Sequence, residues 1–198
     1  LTNTKKVDDK CFKSAFKEIF GIDIESQHWE DLINVTDWGI TEEIILRERN
    51  RLPTPNEYEA LTASFIDKLN EEFARDATQF DAVRGANQFL YYLKQHGYSI
   101  SIATGGWRSS AELKLKVSGL NVEEIPLASS NDYKSRKEII HHSIRLSEIK
   151  YGRKFKKAVY FGDQCLALLP SSGVPSVGGA TFGGAWTPAV ASAVEPVM

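Results

Sequence analysis

From Cys11 to about Phe80 the apolar residues recur at steps of three and four. Phe12, Ala15, Phe16, Ile19 and Phe20 make one stripe, and Gly21 behind them reads as a helix stop. Tyr58, Leu61, Phe65, Leu69 and Phe73 make another, set among acids and lysines after Pro53 and Pro55. The pattern predicts a small helical bundle, and no run of strand character interrupts it.

At Val83 the period changes. Arg84, Gly85 and Ala86 lead into Phe89, Leu90, Leu93 and Lys94, a helix closed by Gly97. Tyr98 to Ala103 is a β-rich run that stops at Thr104, Gly105 and Gly106. A helix over about Ser110 to Val117, a short strand near Ile125 to Ala128, a helix over about Arg136 to Ile149 and a strand over Ala158 to Phe161 complete the alternation. Strands alternating with helices of this length predict βαβ units, a parallel sheet and helices on both faces. Beyond Asp163 no charged residue appears before Glu195. Val174 to Val177 is a candidate strand there, and the rest of this Gly-, Ala- and Pro-rich stretch reads as an irregular tail.

Charge adds a boundary. With 24 basic against 26 acidic side chains and a net charge of -2, no overall field draws the protein to nucleic acid or to an anionic membrane. Any anion must be bound locally. No apolar run is long enough to span a bilayer, and residues 1–6 lack the apolar core of a signal peptide. Cys11 and Cys165 stand far apart in no metal-ligand spacing, which fits inert thiols in a reducing cytoplasm. The four histidines fall in no ligand spacing either, and nothing in the sequence sets the oligomeric state.

Ligands of an open parallel sheet sit beyond the carboxyl ends of the strands. Thr104 ends a strand and is followed by two glycines and a helix, so its hydroxyl and the next N–H groups can face an anion; a helix cap explains it equally well. Asp163 ends another strand behind Gly162, where a carboxylate can hold a hard divalent cation or cap a helix. Lys134 opens a helix between those strands. The helix dipole disfavours a cation there, so a phosphate would account for it, although most lysines face water.

The order of these three is more specific than any one of them. Ser101-Ile102-Ala103-Thr104-Gly105-Gly106, Lys134-Ser135-Arg136-Lys137-Glu138 and Val159-Tyr160-Phe161-Gly162-Asp163 resemble the second, third and fourth motifs of the haloacid dehalogenase superfamily. The likeness is to phosphatases with a helical cap, such as phosphoglycolate phosphatases and β-phosphoglucomutases. It implies an α/β Rossmann-like core over residues 81–198 and a cap over residues 1–80. It also implies a Mg²⁺-dependent phosphomonoesterase that works through an aspartyl-phosphate on a small phosphorylated metabolite. Thr104, Gly105, Gly106 and Lys134 would bind the phosphoryl group, and Asp163 the metal. Asp37 and Trp38, in a turn between cap helices, become candidates for substrate contact, against a plainer role as a helix cap and a packing aromatic.

Two departures accompany the likeness. Leu1-Thr2-Asn3-Thr4 resembles the residues that follow the family's first motif, an Asp-x-Asp-x-Thr that this sequence lacks. The expectation is therefore a fragment without its nucleophile, inactive by itself, whose sheet lacks its middle strand and leaves two rows of backbone groups unpaired. The second acid expected after Asp163 is also missing, since Gln164 to Leu168 follow it. A catalytically silent phosphate-binding or docking protein of the same fold is the alternative; a receiver-type signalling domain explains the helical first part poorly.

Overall fold

A computed structural model of the chain describes residues 1–161 together with the strands Leu166–Pro170 and Ala191–Val194. Three long helices come first: α1 (Lys5–Phe20), α2 (Asp37–Arg49) and α3 (Pro55–Arg75). Their ends follow from local chemistry. Gly21 takes the left-handed conformation (φ 67°) and returns its N–H to the Lys17 carbonyl, which closes α1. Thr36 caps α2 by accepting the Gly39 N–H. Thr54, Pro55 and Glu57 open α3 with a capping box, the threonine side chain on the Glu57 N–H and the glutamate on the Thr54 N–H.

The two predicted stripes meet in one core. Phe12 and Phe65 pack edge to face at 5.7 Å and 87°, with Phe16, Ile40, Ile44, Leu61 and Leu69 fully buried around them. Trp107, from the second half of the chain, enters the same cluster 5.8 Å from Phe12. Beside it the Lys114 ammonium pairs with both oxygens of Asp8 at 3.0 Å, out of contact with solvent, and the Thr4 hydroxyl donates to Asp8 at 2.7 Å. Cys11 is buried here, and burial pushes its thiol up to about 12, which makes it inert.

The second half alternates as expected: α4 (Ala86–Gln95), β1 (Ser99–Ala103), α5 (Arg108–Val117), β2 (Leu127–Ala128), α6 (Arg136–Tyr151) and β3 (Lys157–Phe161). All five residues of β1 are buried. Ile100 and Ile102 meet Leu90, Leu93 and Leu115 of α4 and α5. On the other side Ala103 packs with Ile139 of α6, and Arg153 donates to the Ser99 hydroxyl at 2.6 Å. Alternation along the strand thus gives it one aliphatic face and one face of small residues, each covered by helix. β2 is shorter than its apolar run because Pro126 has no N–H to pair; its carbonyl still accepts the Ile102 N–H at 2.7 Å.

The sheet adds β4 (Leu166–Pro170) and β5 (Ala191–Val194) in the order β2-β1-β5-β3-β4. β2 is parallel to β1, and β3 runs the same way, whereas β4 and β5 are antiparallel to their neighbours. Two expectations need correction. The tail is not wholly irregular, since two of its stretches form strands. The middle of the sheet is not vacant either: β5 pairs with β1 from Ser99↔Val194 to Ile102↔Ala191 and with β3 at Val159↔Ala193 and Tyr160↔Ser192. Interior strands must have both edges paired, and this uncharged stretch supplies the pairing. Val174 to Val177, Gly162, Asp163 and Cys165 lie outside the described residues. Among those described, no helix is long and apolar enough to cross a membrane.

Candidate functional site

The carboxyl end of β1 turns sharply. The Thr104 N–H donates to the Ala128 carbonyl at 2.9 Å, its hydroxyl accepts the Gly106 N–H at 3.1 Å, and the Ser130 N–H donates to the Gly106 carbonyl at 3.1 Å. Thr104 is therefore a turn former, and α5 begins four residues later, at Arg108. A Cβ on Gly105 would stand 3.3 Å from the Val35 carbonyl and 3.4 Å from Nη2 of Arg136; one on Gly106 would stand 3.4 Å from Oγ1 of Thr104 and 3.6 Å from Oδ2 of Asp37. Both glycines are places where other groups converge on bare backbone.

The start of α2 docks onto this turn. Asp37 donates its N–H to the Gly105 carbonyl and accepts the Trp107 N–H on Oδ2, both at 2.8 Å. Sequence reasoning allowed Asp37 to be a helix cap; it does act as one, but for α5, while Thr36 caps its own helix. Burial pushes the Asp37 carboxyl up to about 8, with Asp8 adding to the effect and Lys114, the Trp107 N–H and Arg136 opposing it. Its other oxygen, Oδ1, is buried without a hydrogen-bond partner. At neutral pH the group is largely protonated, a neutral acid beside the Thr104 turn.

The cations divide differently from expectation. Lys134 is close by, since its carbonyl accepts the Thr36 hydroxyl at 2.7 Å. Its ammonium, however, is bonded to Glu42 and lies over the Trp38 ring, 5.5 Å from the centroid. Arg136, which sequence reasoning passed over, is the cation against Gly105; its Nε donates to the Val35 carbonyl at 2.9 Å. The signal was available in Lys134-Ser135-Arg136-Lys137, since a guanidinium fork suits a tetrahedral anion better than an ammonium does. Motif register alone favoured the lysine.

Thr104, Gly105, Gly106, Asp37, Trp38 and Lys134 are thus brought to one place. Asp163, the metal ligand implied by resemblance, lies outside the described residues. Among those described, no group of three or more His, Cys, Asp and Glu side chains is placed to hold a metal ion.

A family model for haloacid dehalogenase-like hydrolases matches residues 1–167. The chain belongs to this family. No curated protein and no solved structure matches it. The family's match takes in the whole of the Thr104 turn, α2 and Arg136, and ends before β5. Membership agrees with the α/β architecture, and it makes the chain a hydrolase by kinship.

Proposed function

We propose that this hydrolase acts on phosphomonoesters of small metabolites, and that its described residues form the phosphoryl-binding part of the site. The observation that carries this reading is the meeting of the Thr104 hydroxyl, the Gly105-Gly106 turn and the Arg136 guanidinium at the carboxyl end of β1. Thr104 and the turn would hydrogen-bond phosphoryl oxygens, and Arg136, with Lys134 behind it, would offset their charge. Residues 1–80 would serve as a cap that shuts water out, held on the turn by Asp37. A reducing, cytoplasmic setting goes with the free Cys11.

Hydrolysis of the ester consumes one water and yields the alcohol and inorganic phosphate. Chemistry through an aspartyl-phosphate needs an attacking carboxylate, and this sequence holds no Asp-x-Asp-x-Thr. We therefore expect binding without turnover from the residues present. Mg²⁺, which the family generally uses, enters this reading through Asp163 and through no described residue. The test is to extend the chain with a strand ending in Asp-x-Asp-x-Thr before Leu1 and to assay p-nitrophenyl phosphate with and without Mg²⁺. Metal-dependent turnover is expected; its absence in a folded, extended protein refutes the hydrolytic reading.

One observation favours a second reading, a phosphate-binding protein without turnover: β5 already pairs with both β1 and β3, where an added strand would have to enter. The same extended protein separates the two. Phosphate binding with no turnover supports the second.

A further inference from the structure

Beside the buried Leu61, Phe65 and Leu69, α3 carries two rows at four-residue spacing, Tyr58/Thr62/Ile66 and Glu59/Ala63/Asp67. Both rows line a cavity of ≈ 700 Å³. Trp38, Trp107 and Ser130 form part of its opposite wall. Those three belong to the phosphoryl site: Trp38 follows Asp37, the Trp107 N–H holds Asp37, and the Ser130 N–H holds the Gly106 carbonyl. The cavity thus opens directly beside the place proposed for phosphorus, and its size suits a small ligand.

Three aromatic rings give this space its character. Trp38 stands edge-on to Tyr58, centroids 6.3 Å apart at 81°. Among the described residues of the lining, Glu59 and Asp67 are the charged groups, and both are acidic. Lys134, whose ammonium lies over the ring of the lining residue Trp38, is bonded to Glu42.

We infer that the substrate's leaving group is an aromatic ring without negative charge of its own. This rests on the phosphomonoester reading and deepens it. A flat ring can lie against the indole and phenol rings that line the cavity, and a neutral or cationic substituent meets the carboxylates favourably. A second phosphate or a carboxylate would face the carboxylates of Glu59 and Asp67.

The test uses the chain itself and follows the binding of inorganic phosphate, phenyl phosphate and 3-phosphoglycerate by calorimetry. Phenyl phosphate should bind roughly tenfold more tightly than inorganic phosphate, as ring stacking commonly provides, and 3-phosphoglycerate no more tightly than inorganic phosphate. If 3-phosphoglycerate matches or exceeds phenyl phosphate, the inference fails and the phosphomonoester reading stands. If none of the three binds at millimolar concentration, both fail. A charge-reversed variant, Glu59→Lys with Asp67→Lys, changes exposed positions of α3; it should shift the preference toward 3-phosphoglycerate, and an unchanged preference overturns the inference.

Discussion

Oδ2 of Asp37 accepts the Trp107 backbone N–H at 2.8 Å, so the first residue of α2 caps the helix that follows β1. A single buried carboxyl thereby ties the helical first part of the chain to the turn that the candidate site is built on.

That bond has a pH signature. The Asp37 carboxyl is raised from 3.8 to about 8 in the folded protein, chiefly by burial. The native state therefore holds a proton that the unfolded chain releases near pH 4. Stability from this group is present in full below pH 4 and is lost as pH rises toward 8, by at most ~1.4 kcal/mol per pH unit. Asp37→Asn keeps an acceptor for Trp107 and removes the titration. Urea denaturation at pH 5 and pH 8 should show the variant gaining on the parent as pH rises; a gap independent of pH would mean that Asp37 is not held protonated.

The pair of Lys114 and Asp8 predicts a non-additive result. Lys114→Met strands a carboxylate that has no contact with water, and breaking such a pair costs about 3–5 kcal/mol. Lys114→Met combined with Asp8→Leu should recover most of the loss. Denaturant midpoints of the two single variants and the double one check this, and additive losses would refute it.

Gly39 has no room for a side chain. A Cβ there would lie 2.5 Å from both the Cβ and the carbonyl oxygen of Asn34. Gly39→Ala must push the 34–39 turn apart, at a cost of ~1–3 kcal/mol. A thermal midpoint equal to that of the parent protein would contradict this packing.

The two cations of the 134–136 segment should differ in their effect on phosphate affinity. Arg136→Ala removes the guanidinium beside Gly105 and should weaken inorganic phosphate roughly tenfold to a hundredfold. Lys134→Ala removes an ammonium already shared with Glu42 and should weaken it by less than about threefold. Calorimetric titration of both variants tests the contrast; equal losses would mean that Lys134 leaves Glu42 when phosphate binds.

Local pattern was enough for most of the elements. The stripe from Tyr58 to Phe73 became α3, the β-rich run before Thr104 became β1, and α6 begins at Arg136 as read. Each depends on residues a few positions apart, and helix and strand periods print directly on such spacings. The Thr104-Gly105-Gly106 turn was legible for the same reason.

What the tertiary structure alone decided was pairing and burial across long separations. β5 takes the middle of the sheet because unpaired interior edges must be filled, and nothing in an uncharged Ala- and Ser-rich stretch announces its partner. Asp37 and Trp107 are 70 residues apart, and Thr36 and Lys134 are 98 apart. An aspartate's protonation and a lysine's partner depend on what is folded against them, so the sequence names the groups and the fold determines which of them faces the site.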